Sequence, residues 1–155
     1  MSSLILLVDD NPMDVELTLD AFKQAHLDNP VHVAHNGQQA LDYILGVGEF
    51  ADRNRHPLPG MTLLDLKMPG IDGHEVLRRI KQEPLLKRLP VIILTSSKEE
   101  GDRALSYDNG ANSYLVKPVS FDGFLVVVKQ VAEYWLTLNI EPPLNPSTFV
   151  SDRKP

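Results

Sequence analysis

The sequence predicts a doubly wound α/β sandwich, a parallel sheet covered by helices on both faces. Two observations carry that expectation. Short, unbroken apolar runs of strand length alternate five times with helix-period segments, and strands that are apolar on both sides belong in a parallel sheet buried from both faces. Each run also gives way to turn and helix-start residues, as repeated strand–helix units require.

The first strand is the run Leu4-Ile5-Leu6-Leu7-Val8, after which Asn11-Pro12 supplies an N-cap side chain and a proline at the first helical position. A helix over 12–26 sets Val15, Leu19 and Phe22 on one side and Asp14, Glu16, Lys23 and Gln24 on others, the pattern of a helix lying on a sheet. Residues 31–35 read as the second strand. Asn36 with Gln39 makes a capping-box-like start for a helix over 38–45. The stretch 46–60 holds two prolines and three glycines and reads as a surface loop. The third strand covers 61–64, and Asp72 with Glu75 caps a helix to about 82, where Pro84 forbids continuation. Residues 91–94 form the fourth strand; Ser96 with Glu99 is expected to cap a helix weakened by Gly101 and ended by Asn109-Gly110. The fifth strand is 113–116, and Ser120 opens a last helix to about 138. A single domain over 1–138 is therefore expected, with a tail over 139–155 in which Pro142, Pro143 and Pro146 prevent helix.

Composition narrows the chemistry. The 155 residues, 43% hydrophobic and 23% charged, suit one globular domain. A net charge of −6 and a pI near 5.3 argue against a nucleic-acid or anionic-membrane surface. The absence of cysteine removes disulfides, thiolate nucleophiles and Cys-based zinc or iron–sulfur sites. The run 4–8 is too short for a signal peptide or a membrane span. A soluble, cytoplasmic protein with neither nucleic acid nor membrane as partner is expected. His26, His32, His35, His56 and His74 show no metal-binding spacing on a single helix.

The strand ends carry the polar groups. The first strand runs into Asp9-Asp10, the third into Asp65, the fourth into Thr95-Ser96, and the fifth into Lys117-Pro118. In doubly wound folds this edge is where ligands bind. An Asp after a strand is commonly a turn former, but turn chemistry does not demand Asp, Asp, Thr and Lys along one edge. Two like charges about 4 Å apart repel by roughly 4 kcal/mol at an effective dielectric of 20, so three carboxylates need something positive between them. A hard divalent cation with oxygen ligands answers that need, and Lys117 adds a second positive charge.

These residues resemble the receiver domains of two-component response regulators over about 4–138. The resemblance rests on Val8-Asp9-Asp10-Asn11, Leu64-Asp65-Leu66-Lys67-Met68-Pro69-Gly70 with Asp72-Gly73, Leu94-Thr95-Ser96, and Tyr114-Leu115-Val116-Lys117-Pro118. It implies a flavodoxin-like strand order 2-1-3-4-5, with Asp65 as phosphoacceptor. It implies Mg²⁺ held by Asp10, Asp65 and the backbone carbonyl of Lys67, with Asp9 as a ligand through water. Thr95 and Lys117 would hold the phosphoryl oxygens. It further implies a switch in which Thr95 swings toward the phosphoryl group and Tyr114 turns inward, changing the face of the fourth helix, fifth strand and fifth helix. A cis Lys117–Pro118 bond would aim the lysine. Ser96 and Lys67 are expected to modulate the site, Lys67 by covering the phosphoaspartate against water and prolonging its life.

Asp14-Val15-Glu16-Leu17-Thr18, the loop around Gly48-Glu49-Phe50, Asn112-Ser113-Tyr114 and Tyr134-Trp135-Leu136-Thr137 look most like the small regulators paired with bacterial phytochrome-type histidine kinases. That resemblance implies a stand-alone regulator that catalyses only its own phosphorylation and dephosphorylation. A phosphorelay intermediate and a degenerate receiver acting as scaffold are the alternatives. An aspartyl-nucleophile hydrolase lacks its Asp-x-Asp, because Lys67 stands two after Asp65; a flavin module lacks its phosphate loop. On the last helix Phe124, Val128, Val131 and Trp135 form one apolar stripe, while Val127, Tyr134 and Leu138, sharing Val131, extend it. That excess predicts a homodimer through Val127, Val131, Tyr134 and Leu138, unless the tail folds back over it through Leu144 or Phe149.

Overall fold

Strands β1 (Ile5–Val8), β2 (Val31–Ala34), β3 (Met61–Leu64), β4 (Val91–Thr95) and β5 (Ser113–Val116) form one parallel sheet of order β2-β1-β3-β4-β5. The computed structural model describes residues 3–144; Phe149 lies outside them. Register is what assembles the strand ends: Val8 pairs with Leu64 and with Ala34, and Thr95 with Val116. The Asp65 N–H then donates to the Val8 carbonyl at 3.0 Å, and the Lys117 N–H to the Thr95 carbonyl at 2.7 Å. Asp9, Asp65 and Lys117 thus leave the sheet at one edge.

The helices are α1 (Pro12–Gln24), α2 (Gly37–Leu45), α3 (Gly73–Gln82), α4 (Glu100–Asp108) and α5 (Phe121–Glu133). Four begin as the sequence predicts. Asn11, Asn36, Asp72 and Ser120 each accept from a backbone N–H of the first turn, satisfying donors that the helix leaves unpaired. The exception is α4. Ser96 does not cap it: the helix begins only at Glu100, behind an extended Glu99, so Ser96 falls too early, and the Ser97 hydroxyl accepts from the Glu99 N–H instead. The last helix is also shorter than expected as regular α-helix, because Tyr134–Leu138 winds as a π-helical turn.

Two apolar layers sandwich the sheet. Leu6, Val8, Leu64 and Ile93 face Leu41 and Ile44 of α2 and Val76, Leu77 and Ile80 of α3. On the other face Ile5, Leu7, Leu63 and Ile92 meet Val15 and Phe22 of α1 and Phe124, Val128 and Ala132 of α5. Burying each such side chain stabilises the fold by about 1.5–3 kcal/mol. Helix α4 contributes one buried residue, Ser106.

The long loop is anchored rather than free. Its Arg53 guanidinium donates to the carbonyls of Tyr43 and Ile44 at the end of α2, and Phe50 packs edge-on against His32. Beyond α5, Arg88 donates to the Pro143 carbonyl at 2.8 Å, and Leu144 packs on the α2–α3 layer. The described part of the tail therefore leaves Tyr134 and Leu138 exposed.

Candidate functional site

The acidic cluster is as the strand ends foretell. Single oxygens of Asp9, Asp10 and Asp65 lie within 4.8 Å of one another, with Asp9 and Asp65 buried and Asp10 exposed. Asp9 also accepts from the Asn11 N–H at 2.9 Å. Burial raises the Asp9 pKa, against the pull of Lys117. The set is all oxygen and strongly anionic, the donor chemistry of a hard divalent cation.

Lys117 answers the charge from the end of β5, with β4 between it and β3. Its ammonium, on a side chain 7% exposed, sits 2.8 Å from Asp9, 2.8 Å from Asp14 and 3.4 Å from Asp65. Burial opposes its charge, but the hydrogen bonds it donates to Asp14 and Asp9 outweigh that and raise its pKa. The bond to Pro118 is not cis, since no peptide bond among the described residues is. The ammonium reaches the carboxylates from a trans peptide, which an X–Pro bond prefers by about 0.5–1 kcal/mol.

Asp14 was not legible as a site residue. It stands in the first turn of α1, where an acid reads as a helix-dipole partner on a solvated face; the signal was its spacing, one turn beyond Asp10. A second contact set also escapes sequence reading. Asp102 of α4 receives Lys67 at 3.1 Å, His74 at 3.0 Å and the Ser97 hydroxyl at 2.6 Å. His74, read as a non-ligand, serves here as a hydrogen-bond partner of Asp102.

Thr95 is fully buried, its hydroxyl accepting from the Ser97 N–H at 3.3 Å. Tyr114 is half-buried and donates to the Ser97 carbonyl at 3.0 Å, so both predicted switch residues meet one loop. Ser96 is exposed and lines a groove with Met13, Asp14, Lys117 and Phe121. The Lys67 N–H faces Asp65 Oδ1 at 3.4 Å, while its side chain turns away to Asp102. Gly73 closes the floor: a Cβ there would lie 2.2 Å from the Asp65 carbonyl oxygen.

The family model for the response regulator receiver domain matches residues 5–129. The chain belongs to that family. Among curated proteins, the receiver is 41% identical over 139 residues to the probable methanogenesis regulatory protein FilR2 of Methanothrix harundinacea, covering 90% of this chain and 87% of that one. It is 36% identical over 133 residues to response regulator Rcp1 of Synechocystis sp., covering 86% and 88%. The Mn²⁺-bound crystal structure of Rcp1 superposes with a TM-score of 0.84 at 35% identity over 91% of this chain and 99% of that one. The phosphorylated cyanobacterial phytochrome response regulator RcpA matches with a TM-score of 0.87 at 35% identity, over 92% and 100%. This receiver shares their fold over nearly the whole length compared.

Proposed function

We propose that this receiver accepts a phosphoryl group on Asp65 from a histidine kinase of the phytochrome type, as a stand-alone regulator in the cytoplasm. The observation that carries the reading is the single ammonium of Lys117 within 2.8–3.4 Å of Asp9, Asp14 and Asp65, beside an all-oxygen cluster at the ligand-binding edge of the sheet. The likeness to the cyanobacterial phytochrome response regulator RcpA supports the choice of partner, and the Mn²⁺-bound state of Rcp1 supports a divalent ion.

In this reading Asp65 is a carboxylate nucleophile. One of its oxygens attacks the phosphorus of a phosphohistidine in line; the P–O bond forms as the P–N bond breaks, and the imidazole leaves with the bonding pair. Asp10, Asp65 and the backbone carbonyl of Lys67 would hold Mg²⁺, with Asp9 as a ligand through water, and the ion would supply charge neutralisation at the phosphoryl oxygens. Lys117 turns from Asp14 toward the transferred group, and the Thr95 hydroxyl donates to it. The added charge of about −1.5 to −2 draws on the loop that already joins Thr95, Ser97 and Tyr114, so the α4–β5–α5 face changes with it. No helix among the described residues is long and apolar enough to cross a membrane. A second copy of the chain pairs through α5, using the exposed Tyr134 and Leu138 with the half-buried Val127 and Val131 at their edge.

Incubation with a small acyl phosphate and Mg²⁺ tests the chemistry. Intact mass should rise by one phosphoryl group in the wild type and stay unchanged in Asp65→Asn, which is near-isosteric. Label retained by that variant would place the acceptor elsewhere.

A further inference from the structure

Asp102 is the hub of a network that the phosphorylation chemistry above does not use. From the first turn of α4 it receives the Lys67 ammonium, the His74 ring and the Ser97 hydroxyl. Those partners come from the β3–α3 loop, α3 and the β4–α4 loop. The carboxylate is 13% exposed, whereas the Lys67 side chain is 60% exposed, so the anion is fixed and the cation is the mobile partner. Hydrogen bonds from Ser97 and His74, and against burial from Lys67, hold Asp102 well below the usual carboxylate range. It remains an anion at any physiological pH.

Lys67 stands where two anions compete for it. Its backbone N–H faces Asp65, and its flexible four-carbon stem points to α4. When Asp65 carries a phosphoryl group, a second and larger negative charge appears beside the same residue. We propose that Asp102 is a positioning residue that holds the Lys67 ammonium on α4, keeps it from covering the phosphoryl group on Asp65, and thereby shortens the life of the phosphoaspartate. This rests on Asp65 being the acceptor. Loss of the label is hydrolysis: a water oxygen bonds to phosphorus in line, the P–O bond to Asp65 breaks, and the carboxylate leaves as phosphate departs with the water's oxygen. Lys67 lying over the phosphoryl oxygens obstructs that water. Asp102 draws it aside.

The same geometry predicts dependence on Lys67 alone. Asp102→Asn keeps the shape and removes the charge, so Lys67 is released to the phosphoryl group and the label should decay about threefold more slowly, the scale of one exposed ion pair. In a Lys67→Asn background, adding Asp102→Asn should change nothing. Asp102→Glu keeps the charge and should decay near the wild-type rate. The experiment labels purified full-length variants with an acyl phosphate and Mg²⁺, removes the donor, and follows intact mass over time, with circular dichroism confirming the fold; Asp102→Ser replaces Asp102→Asn if the latter fails to fold. An unchanged lifetime in the charge-removed variant, or an equal slowing with and without Lys67, overturns the proposal. Absence of label in the wild type is a different result: it refutes Asp65 as acceptor and the role of Asp102 with it.

Discussion

A single lysine among three carboxylates makes the site electrostatically lopsided. Lys117 is buried and pairs with Asp9, Asp14 and Asp65, and removing one partner of a buried ion pair costs about 3–5 kcal/mol because the remaining charges stay buried and unpaired. Lys117→Met should lose that much stability at pH 7 in the presence of a chelator. Asp9 sets the pH dependence: burial holds its folded pKa above the unfolded value, so its contribution is present at low pH and lost as pH rises through the folded value. Without Lys117 the shift grows, and urea unfolding at pH 5 should recover part of the stability missing at pH 7; equal deficits at both pH values would contradict the assignment. The residues most legible in the sequence were those that end strands, Asp9, Asp10, Asp65, Thr95 and Lys117, because a strand end gives a side chain one address. Asp14 and Asp102 escaped because each sits on a helix, where an acid has a solvated face as its default and only tertiary packing brings a lysine to it.

Elements were legible in proportion to how strongly each buries a face. The strands β3 and β5 have the predicted bounds, and caps with a side-chain oxygen before a polar turn were found at four helices. The start of α4 was not, since two serines precede it and only the folded loop decides which one bonds. Its weak attachment has a dynamic consequence. Ser106 is the buried residue of α4, against Gly73, Val76, Leu77 and Ile80 in α3; fewer buried contacts mean a lower free energy of local opening. Amide hydrogen exchange should therefore be faster in Glu100–Asp108 than in Gly73–Gln82, and comparable protection in both would refute this. Helix α3 is instead clamped to the site by Gly73. A methyl there would come within 2.2 Å of the Asp65 carbonyl and 2.6 Å of the Leu66 Cα, both backbone atoms that cannot swing aside. Gly73→Ala should lose about 1–3 kcal/mol and take up label more slowly, as read by urea unfolding and intact mass.

At the scale of the molecule, the structure redistributes the apolar surface that the helical pattern of α5 assigned to a partner. Phe124, Val128 and Ala132 are buried in the core, and Val127, Val131, Trp135 and Leu136 pack partly against it, so the core uses more of the helix than one stripe. The π-helical turn contributes by shifting the residues after Glu133 around the axis. What is left lies partly along α5, at Phe121 and Val126, and partly at its end, where Tyr134 is 49% exposed, Leu138 67% and Ile140 93%. The described tail does not cover them, because the Pro143 and Leu144 contacts run to Arg88 and the α2–α3 layer. Exposed large apolar side chains of this kind suit the proposed association, in which a twofold pairing of α5 would bury them against their copies. Light scattering should accordingly report about twice the 17.3 kDa protomer at micromolar concentration. Tyr134→Glu combined with Leu138→Glu should return the mass to one protomer: like charges gathered in a desolvated interface are left unpaired when the copies meet. The same double variant should keep the phosphoryl label, since its positions lie in the turn after α5 and not among the strand-end residues that form the site. A wild type that scatters as 17.3 kDa throughout, with and without label, would show that the exposed end of α5 serves no second copy.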